Sequence, residues 1–460
     1  MPGSRTSPIA FTLAALTLGS ALMGSTAIAA DAKHEEGILP SGFPYQISMP
    51  EHWNGIVISD LDAVTNLKDP IPVDLLAKGY AYIGTGRHPE RMTKHDPLTE
   101  LDAQAAVIDL FAQKFGNAKH VIQYGCSGGG YVTLAMAEKH PDKINGAVAF
   151  NARGTGGMAV ANTWLDLPFA LKALLAPESD LRVAPVPNSA LPAAYDAWKA
   201  VMDKAQATPE GRARIALAVA VSQWPTWGSI EDTPPKPASD DLAALERAMV
   251  KSASDGLANS IKRRQLYDNP AGLASWNSGI DYKAFYEKGA DAEQKKIIGE
   301  LYEKAGLGGK DAIEKDLDKI NAQPRVEGSK DGVNYWLKPG RLIGGDIKVP
   351  LLHIHGLGDA LLPPHLSEGY AVAVKKQGHE DLYRRAFLQA SGHCKTEVSE
   401  AGAAIQAMVD RLDTGKWGDT SADALNALAK KANTQTPRYV TYAFDTPFNR
   451  AFYADSKHPF

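Results

Sequence analysis

Between Asn54 and Phe150 the chain alternates short, almost purely apolar runs with segments whose apolar residues recur every three or four positions. The runs 55–59 (GIVIS), 80–84 (YAYIG), 120–124 (HVIQY) and 146–150 (GAVAF) read as strands, because short, mainly apolar stretches of this length suit strands buried on both faces. Leu101, Ala105, Ile108, Ala112 and Phe115 keep helical spacing and predict a crossover helix that ends near Gly116. Residues 129–140 predict another, stopped by Pro141. Strands alternating with helices imply a parallel sheet covered on both faces, hence an α/β fold.

The pattern breaks after Phe150. Residues 152–335 become helical and polar, rich in Ala, Lys, Asp and Glu, with a Pro-dense loop at 233–237. Strand character returns at 349–355 and again at 383–388. The economical reading is one core in two pieces, 31–151 and 336–460, interrupted by an inserted helical lid at 152–335.

The first thirty residues stand apart from this body. Arg5 precedes an apolar stretch from Ile9 to Met23, and small residues follow as far as Ala29 and Ala30. That is the layout of a secretory signal cleaved near Ala29/Ala30, and Gly19, Ser20, Gly24 and Ser25 break the run before a membrane-spanning length accumulates. The expectation is a secreted protein with residues 1–30 removed. Its 49 Lys and Arg against 53 Asp and Glu give no basic footprint, so nucleic acid and anionic membranes are disfavoured as partners. Export leaves two readings open for the only two cysteines, Cys126 and Cys394: one disulfide or two buried thiols.

The chemistry concentrates at three strand ends. Gly125-Cys126-Ser127-Gly128-Gly129 follows one predicted strand and opens a helix, which makes Ser127 the serine of a G-x-S-x-G nucleophile elbow. Such a turn lifts the hydroxyl above the sheet and points the Gly128 amide, at the helix N-terminus, toward a developing oxyanion. A phosphate loop is the competing motif, but no Lys-Ser/Thr pair follows the glycines. A hydroxyl nucleophile needs a base and the base an orienting acid, in the chain order Ser, Asp, His for this kind of sheet. Asp359 follows the 349–355 strand in a tight loop, and His393 follows the 383–388 strand.

Other candidates are weaker. His353 and His355 share a strand face but lack further ligands at metal-site spacing, so no metal is expected. His365 and His379 read as surface residues of a helix or its connecting loop. Arg87 and Arg153, each shortly after a strand, could meet a substrate carboxylate or form surface ion pairs. Within the insertion, Trp164, Trp224 and Trp227, with Tyr267 and Trp276, could line an aromatic pocket or pack as helix core.

Cys126-Ser127, Asp359 and His393-Cys394 together resemble the Cys-Ser … Asp … His-Cys pattern of tannases and fungal-type feruloyl esterases, over roughly 54–150 and 349–413. The resemblance implies an α/β-hydrolase fold, a disulfide between Cys126 and Cys394 beside the catalytic serine and histidine, and ester hydrolysis without a cofactor. Many relatives carry His-Gly where this chain has Ser59-Asp60-Leu61-Asp62, so the second oxyanion amide is expected from Leu61 or Asp62. The expected function is a secreted serine carboxylesterase acting on a small-molecule or polymer-linked ester with an aromatic or bulky group. An aminopeptidase, requiring an acidic lid group such as Glu231, an acyltransferase and a non-catalytic binding protein are the alternatives.

Overall fold

The computed structural model describes residues 33–432, 436–444 and 450; the expected leader at 1–30 lies outside the described residues. Among them, one sheet is built from β1 (Lys33–Ile38), β2 (Pro44–Met49), β3 (Ile56–Asp60), β4 (Ala81–Thr85), β5 (His120–Cys126), β6 (Gly146–Phe150), β7 (Leu351–Gly358), β8 (Tyr383–Ser391) and β9 (Tyr439–Val440). Their order across the sheet is β1-β2-β4-β3-β5-β6-β7-β8-β9. From β4 to β8 every pairing is parallel, while β1 and β2 at one edge and β9 at the other pair antiparallel.

Full burial of the central strands explains their mainly apolar sequences. Val57 and Ile83 face the helices Pro97–Phe115 and Gly128–Lys139 in one core cluster. Their strand neighbours Ile58 and Tyr82 face Pro70–Ala77 and Val398–Thr414 in a second cluster on the other side. A two-residue period thus supplies two cores from one sheet. This strand order, with helices on both faces, is the α/β-hydrolase fold expected from the sequence.

The edge hairpin is the part the hydrophobic pattern does not announce. β1 is KHEEGI, largely exposed, and β2 opens with Pro44, which a strand tolerates at its first residue.

Between β6 and β7 runs the long helical segment. Its helix Gly157–Leu175 is buried on almost every side and mostly apolar, with Asn162, Thr163 and Asp166 buried among its apolar residues. Others start on side-chain caps: Thr208, Asp241, Asp291 and Ser329 each accept from a backbone amide of the following turn, a contribution of about 1 kcal/mol apiece. The segment has its own core, and Ala360, Leu361, Leu362 and Leu366, from the chain after β7, join it. The insertion is therefore packed against the loop that carries Asp359. No helix among the described residues is long and apolar enough to cross a membrane.

Candidate active site

β5 ends at Cys126 and the helix Gly128–Lys139 begins at the residue after Ser127, so Ser127 alone turns the chain. It does so at φ 61° and ψ −117°, a backbone region that costs a non-glycine residue on the order of 1–3 kcal/mol. The flanking glycines make the turn possible: a Cβ on Gly125 would lie 2.6 Å from the carbonyl carbon of Gly129, and one on Gly130 would lie 2.6 Å from the Phe150 carbonyl oxygen. The Ser127 amide donates to Phe150 O at 3.1 Å, and the Tyr131 amide donates to Ser127 O at 3.0 Å. These bonds pin the elbow to both β6 and the helix, with the Gly128 amide at the positive end of the helix dipole.

Asp359 is fully buried, just past β7. One carboxylate oxygen accepts from the amides of Leu361 (2.8 Å) and Leu362 (3.0 Å). The other accepts from Asn151 Nδ2 at 2.6 Å and from His393 Nδ1 at 2.8 Å. Burial by itself would raise this carboxyl, but the charge and hydrogen bond of His393, aided by His355 and Asn151, outweigh it and hold Asp359 below the usual carboxylate range. With Nδ1 engaged, His393 Nε2 is the free lone pair; it is buried and has no hydrogen-bond partner among the described residues. The His393 amide donates to Ile230 O at 2.8 Å, so the insertion also steadies this loop.

Cys126 and Cys394 form a disulfide with Cα atoms 6.0 Å apart. The bridge brings the neighbours Ser127 and His393 to the same end of the sheet. Backbone strain gathers there as well: Ser127, Asn151 and Cys394 are three of the four non-glycine residues with positive φ among those described.

Of the two amides expected to complete an oxyanion site, that of Asp62 donates to Asp60 Oδ1 at 3.2 Å. This removes Asp62 as a free donor and leaves Leu61, which is fully buried beside Gly129. The Asp62 carboxylate is occupied too, since Arg87 grips it through Nε (2.5 Å) and Nη2 (2.6 Å). Glu100 Oε1 lies 3.5 Å from both Arg87 Nη1 and Arg91 Nε. Arg153 differs: it is 4% exposed, its Nη1 donates to His95 Nε2 at 3.0 Å, and no carboxylate pairs with it among the described residues. A Cβ on Gly128 would collide with Arg153 Nη2 and stand 2.7 Å from Arg87 Nη1. Two guanidinium groups therefore border the elbow, a feature suggested by Arg87 and Arg153 in the sequence but separable into paired and unpaired only through Asp62.

Several expected residues lie elsewhere. Trp164, Trp224 and Trp227 are all buried, with indole N–H groups donating to the carbonyls of Leu361, Ala360 and Pro234. Trp224 and Trp227 border a cavity of about 280 Å³ whose walls include Gln294, Leu357 and His365 but neither Ser127 nor His393. Each indole N–H is thereby held by a backbone carbonyl, which fixes the orientation of the rings. Trp164 is one layer back, edge-on to Tyr267 with ring centroids 5.5 Å apart. His365, read as a surface residue, is buried with Nδ1 on Gln223 O at 2.9 Å, because the insertion covers its helix. His353 and His355 are buried in β7, and burial holds both imidazoles below their usual pKa. Glu231 is exposed, 3.8 Å from Lys395. Among the described residues no three His, Cys, Asp or Glu stand together as a metal site.

No family model matches the chain. It is 39% identical over 430 residues to the o-phthalyl amidase of Xanthobacter agilis, an alignment covering 87% of this chain and 92% of that one. Solved structures that resemble it include feruloyl esterase B from Aspergillus oryzae (13% identity, 84% of this chain and 81% of that one, TM-score 0.40). Another is the acylaminoacyl peptidase of Pyrococcus horikoshii (11% identity, 91% and 46%, TM-score 0.38).

Proposed function

The chain belongs to the family of the o-phthalyl amidase of Xanthobacter agilis, and from that premise we propose that this α/β-hydrolase is a serine hydrolase that cleaves the acyl bond of aromatic carboxylic amides and esters through an acyl-enzyme. The observation that carries the reading is the 2.8 Å bond from His393 Nδ1 to a fully buried Asp359, with Cys394, next to His393, disulfide-bonded to Cys126, next to Ser127. Ser127 Oγ attacks the acyl carbon as His393 Nε2 takes its proton, and the Gly128 and Leu61 amides hold the oxyanion. His393 passes that proton to the departing amine or alcohol. Water then attacks the acyl-enzyme, gives its proton to His393 and releases the acid as Ser127 recovers its hydrogen.

The sequence reading favoured an ester, by resemblance to tannases and feruloyl esterases. The amidase relative moves the preferred leaving group to nitrogen, and the same machinery serves both. The charge around the elbow weighs against an aminopeptidase: Arg87 and Arg153 border Gly128, whereas Glu231, the example offered for the acidic lid group that reading requires, is on the surface. Secretion accords with the disulfide. The test is fluorophosphonate labelling with peptide mapping, followed by turnover of amides and esters sharing one aromatic acyl group. A label on Ser127 with hydrolysis of both series is expected; absence of a Ser127 adduct in folded protein refutes the proposal.

A further inference from the structure

We infer that Asp255, a carboxylate of the insertion, is a positioning residue for Asp359 and His393. It acts through a two-residue strap, Ser229 and Ile230, whose backbone is bonded to the loops that carry both. This rests on the hydrolase reading above and adds a residue to its machinery.

The strap depends on close backbone approach. A Cβ on Gly228 would stand 3.1 Å from Gly358 O, and one on Gly358 would stand 2.9 Å from Trp227 O, so two glycines let the insertion come down onto the end of β7. Ser229 then forms a short parallel bridge with Asp359: its amide donates to Gly358 O at 3.1 Å, and its carbonyl accepts from the Ala360 amide at 3.1 Å. One residue later, Ile230 O accepts from the His393 amide at 2.8 Å. The acid and the base are 34 residues apart in the chain, and consecutive residues of a third segment hold the backbone beside both. The approach of His393 Nδ1 to the Asp359 carboxylate thus depends on where the strap lies.

Asp255 fixes that place. It stands on the helix Leu242–Lys262, and its Oδ2 accepts from Ser229 Oγ at 3.0 Å, from the Ile230 amide at 3.2 Å and from Lys251 Nζ at 3.0 Å. Ser229 Oγ also accepts from the Asp232 amide at 3.1 Å, and Lys251 Nζ lies 3.0 Å from the Asp232 carboxylate, so the chain leaving the strap is held by the same side chains. Ser229 is fully buried, and Ile230 belongs to the core of the insertion. Apolar packing is non-directional, whereas hydrogen bonds to a carboxylate are directional and strong. The core therefore retains the strap, and Asp255 sets its register. A catalytic pair loosened by ~1 Å loses on the order of 10² in rate.

The experiment compares variants with wild type on one activated aromatic ester and by hydrogen-exchange mass spectrometry. Asp255→Ala removes the acceptor and should lower kcat by about 10- to 100-fold with KM within about 3-fold, and it should speed amide exchange in peptides covering 356–362 and 389–395 but not in those covering 120–126. Asp255→Asn keeps an acceptor oxygen in a side chain of the same shape, so its kcat should recover to within about 5-fold of wild type. As a control, Asp316→Asn weakens a buried ion pair of the insertion on another helix, with Arg214 at 2.9 Å, and should leave kcat unchanged whatever it does to Tm. Wild-type kcat in Asp255→Ala, a loss matched by Asp316→Asn, or no recovery in Asp255→Asn overturns the inference. Should Asp255→Ala not fold, Ser229→Ala deletes only the hydroxyl link and still decides: kcat is expected to fall by about 3- to 10-fold, and an unchanged kcat refutes the strap. If wild type hydrolyses nothing and takes no fluorophosphonate on Ser127, the hydrolase reading fails instead, and exchange at the two loops still shows whether Asp255 holds them.

Discussion

Cys126 and Cys394 are joined across 268 residues with their Cα atoms 6.0 Å apart, so one covalent bond couples the residue before Ser127 to the residue after His393. On the chain-entropy model a loop this long stabilises the fold by about 5.6 kcal/mol at most. Placement matters more for activity, since letting the His393 loop drift by ~1 Å would cost on the order of 10² in rate. Reduction, or Cys394→Ser, should lower kcat by about that factor at temperatures where circular dichroism still reports a folded protein. Full activity with both thiols titrated as free would contradict this.

Ser127→Ala and His393→Ala should each lower kcat by ~10⁶, and Asp359→Asn by ~10⁴, with Tm little changed for the serine variant. Asp359→Asn is milder because the asparagine can still accept from the Leu361 and Leu362 amides while losing the charge that steadies imidazolium. Burst and steady-state kinetics on one activated ester measure all three. A silent Asp359→Asn would mean that another acid orients the base.

How much of this was legible follows from physical cause. β3, β4 and β6 were readable because strands buried along their whole length are almost purely apolar, β5, β7 and β8 by shorter apolar stretches, and Ser127, Asp359 and His393 were legible as candidates because each follows a predicted strand. β1 and β2 were not, since an exposed edge has no apolar run to find. Asn151 carries no motif, and its partnership with Asp359 spans 208 residues. Arg87 and Arg153 look equivalent along the chain, and only the fold sets Asp62 against one of them. The tryptophans stayed ambiguous in the sequence because aromatic composition alone does not separate a pocket wall from a helix core.

Asn151 should prove a positioning residue. It donates to Asp359 at 2.6 Å and helps hold that carboxyl low. Asn151→Asp sets a second carboxylate there, which raises the Asp359 pKa and competes for its role. We expect kcat to fall ~10- to 100-fold, with the acidic limb of the kcat/KM profile displaced to higher pH, and Asn151→Ala to be milder with a smaller displacement. A fall in kcat without any displacement would reduce Asn151 to packing.

Asp60 should leave a signature in stability rather than rate. Its carboxyl is pushed up to about 7, first by burial and then by the adjacent Asp62 charge. In the unfolded chain it titrates near ~3.9. The folded state therefore holds a proton that the unfolded chain releases, so the stabilisation is full below about pH 4 and is lost as pH rises through 7. Asp60→Asn stays neutral throughout, so its Tm relative to wild type should climb by several degrees between pH 5 and pH 8 and then level off. A pH-independent difference would show that Asp60 ionises normally.

The last prediction separates the two readings of the tryptophans. Trp224 is 1% exposed, packs against Gly256 and donates to Ala360 O at 3.2 Å, while Trp164 donates to Leu361 O at 2.9 Å. Both tie the insertion to the residues directly after Asp359. Truncating either ring to Ala should cost about 3–5 kcal/mol, the usual range for an aromatic removed from a core. Any loss of rate should then be common to all substrates, because what moves is the acid loop and not a surface that distinguishes one acyl group from another. We therefore expect a large fall in Tm, a shared decrease in kcat, and phthalyl-to-benzoyl kcat/KM ratios within about 3-fold of wild type. The milder Trp224→Phe keeps most of the packing and loses the N–H bond, and it should keep that ratio as well. A variant with unchanged Tm and a ratio shifted by tenfold would return these rings to the pocket wall that their composition first suggested.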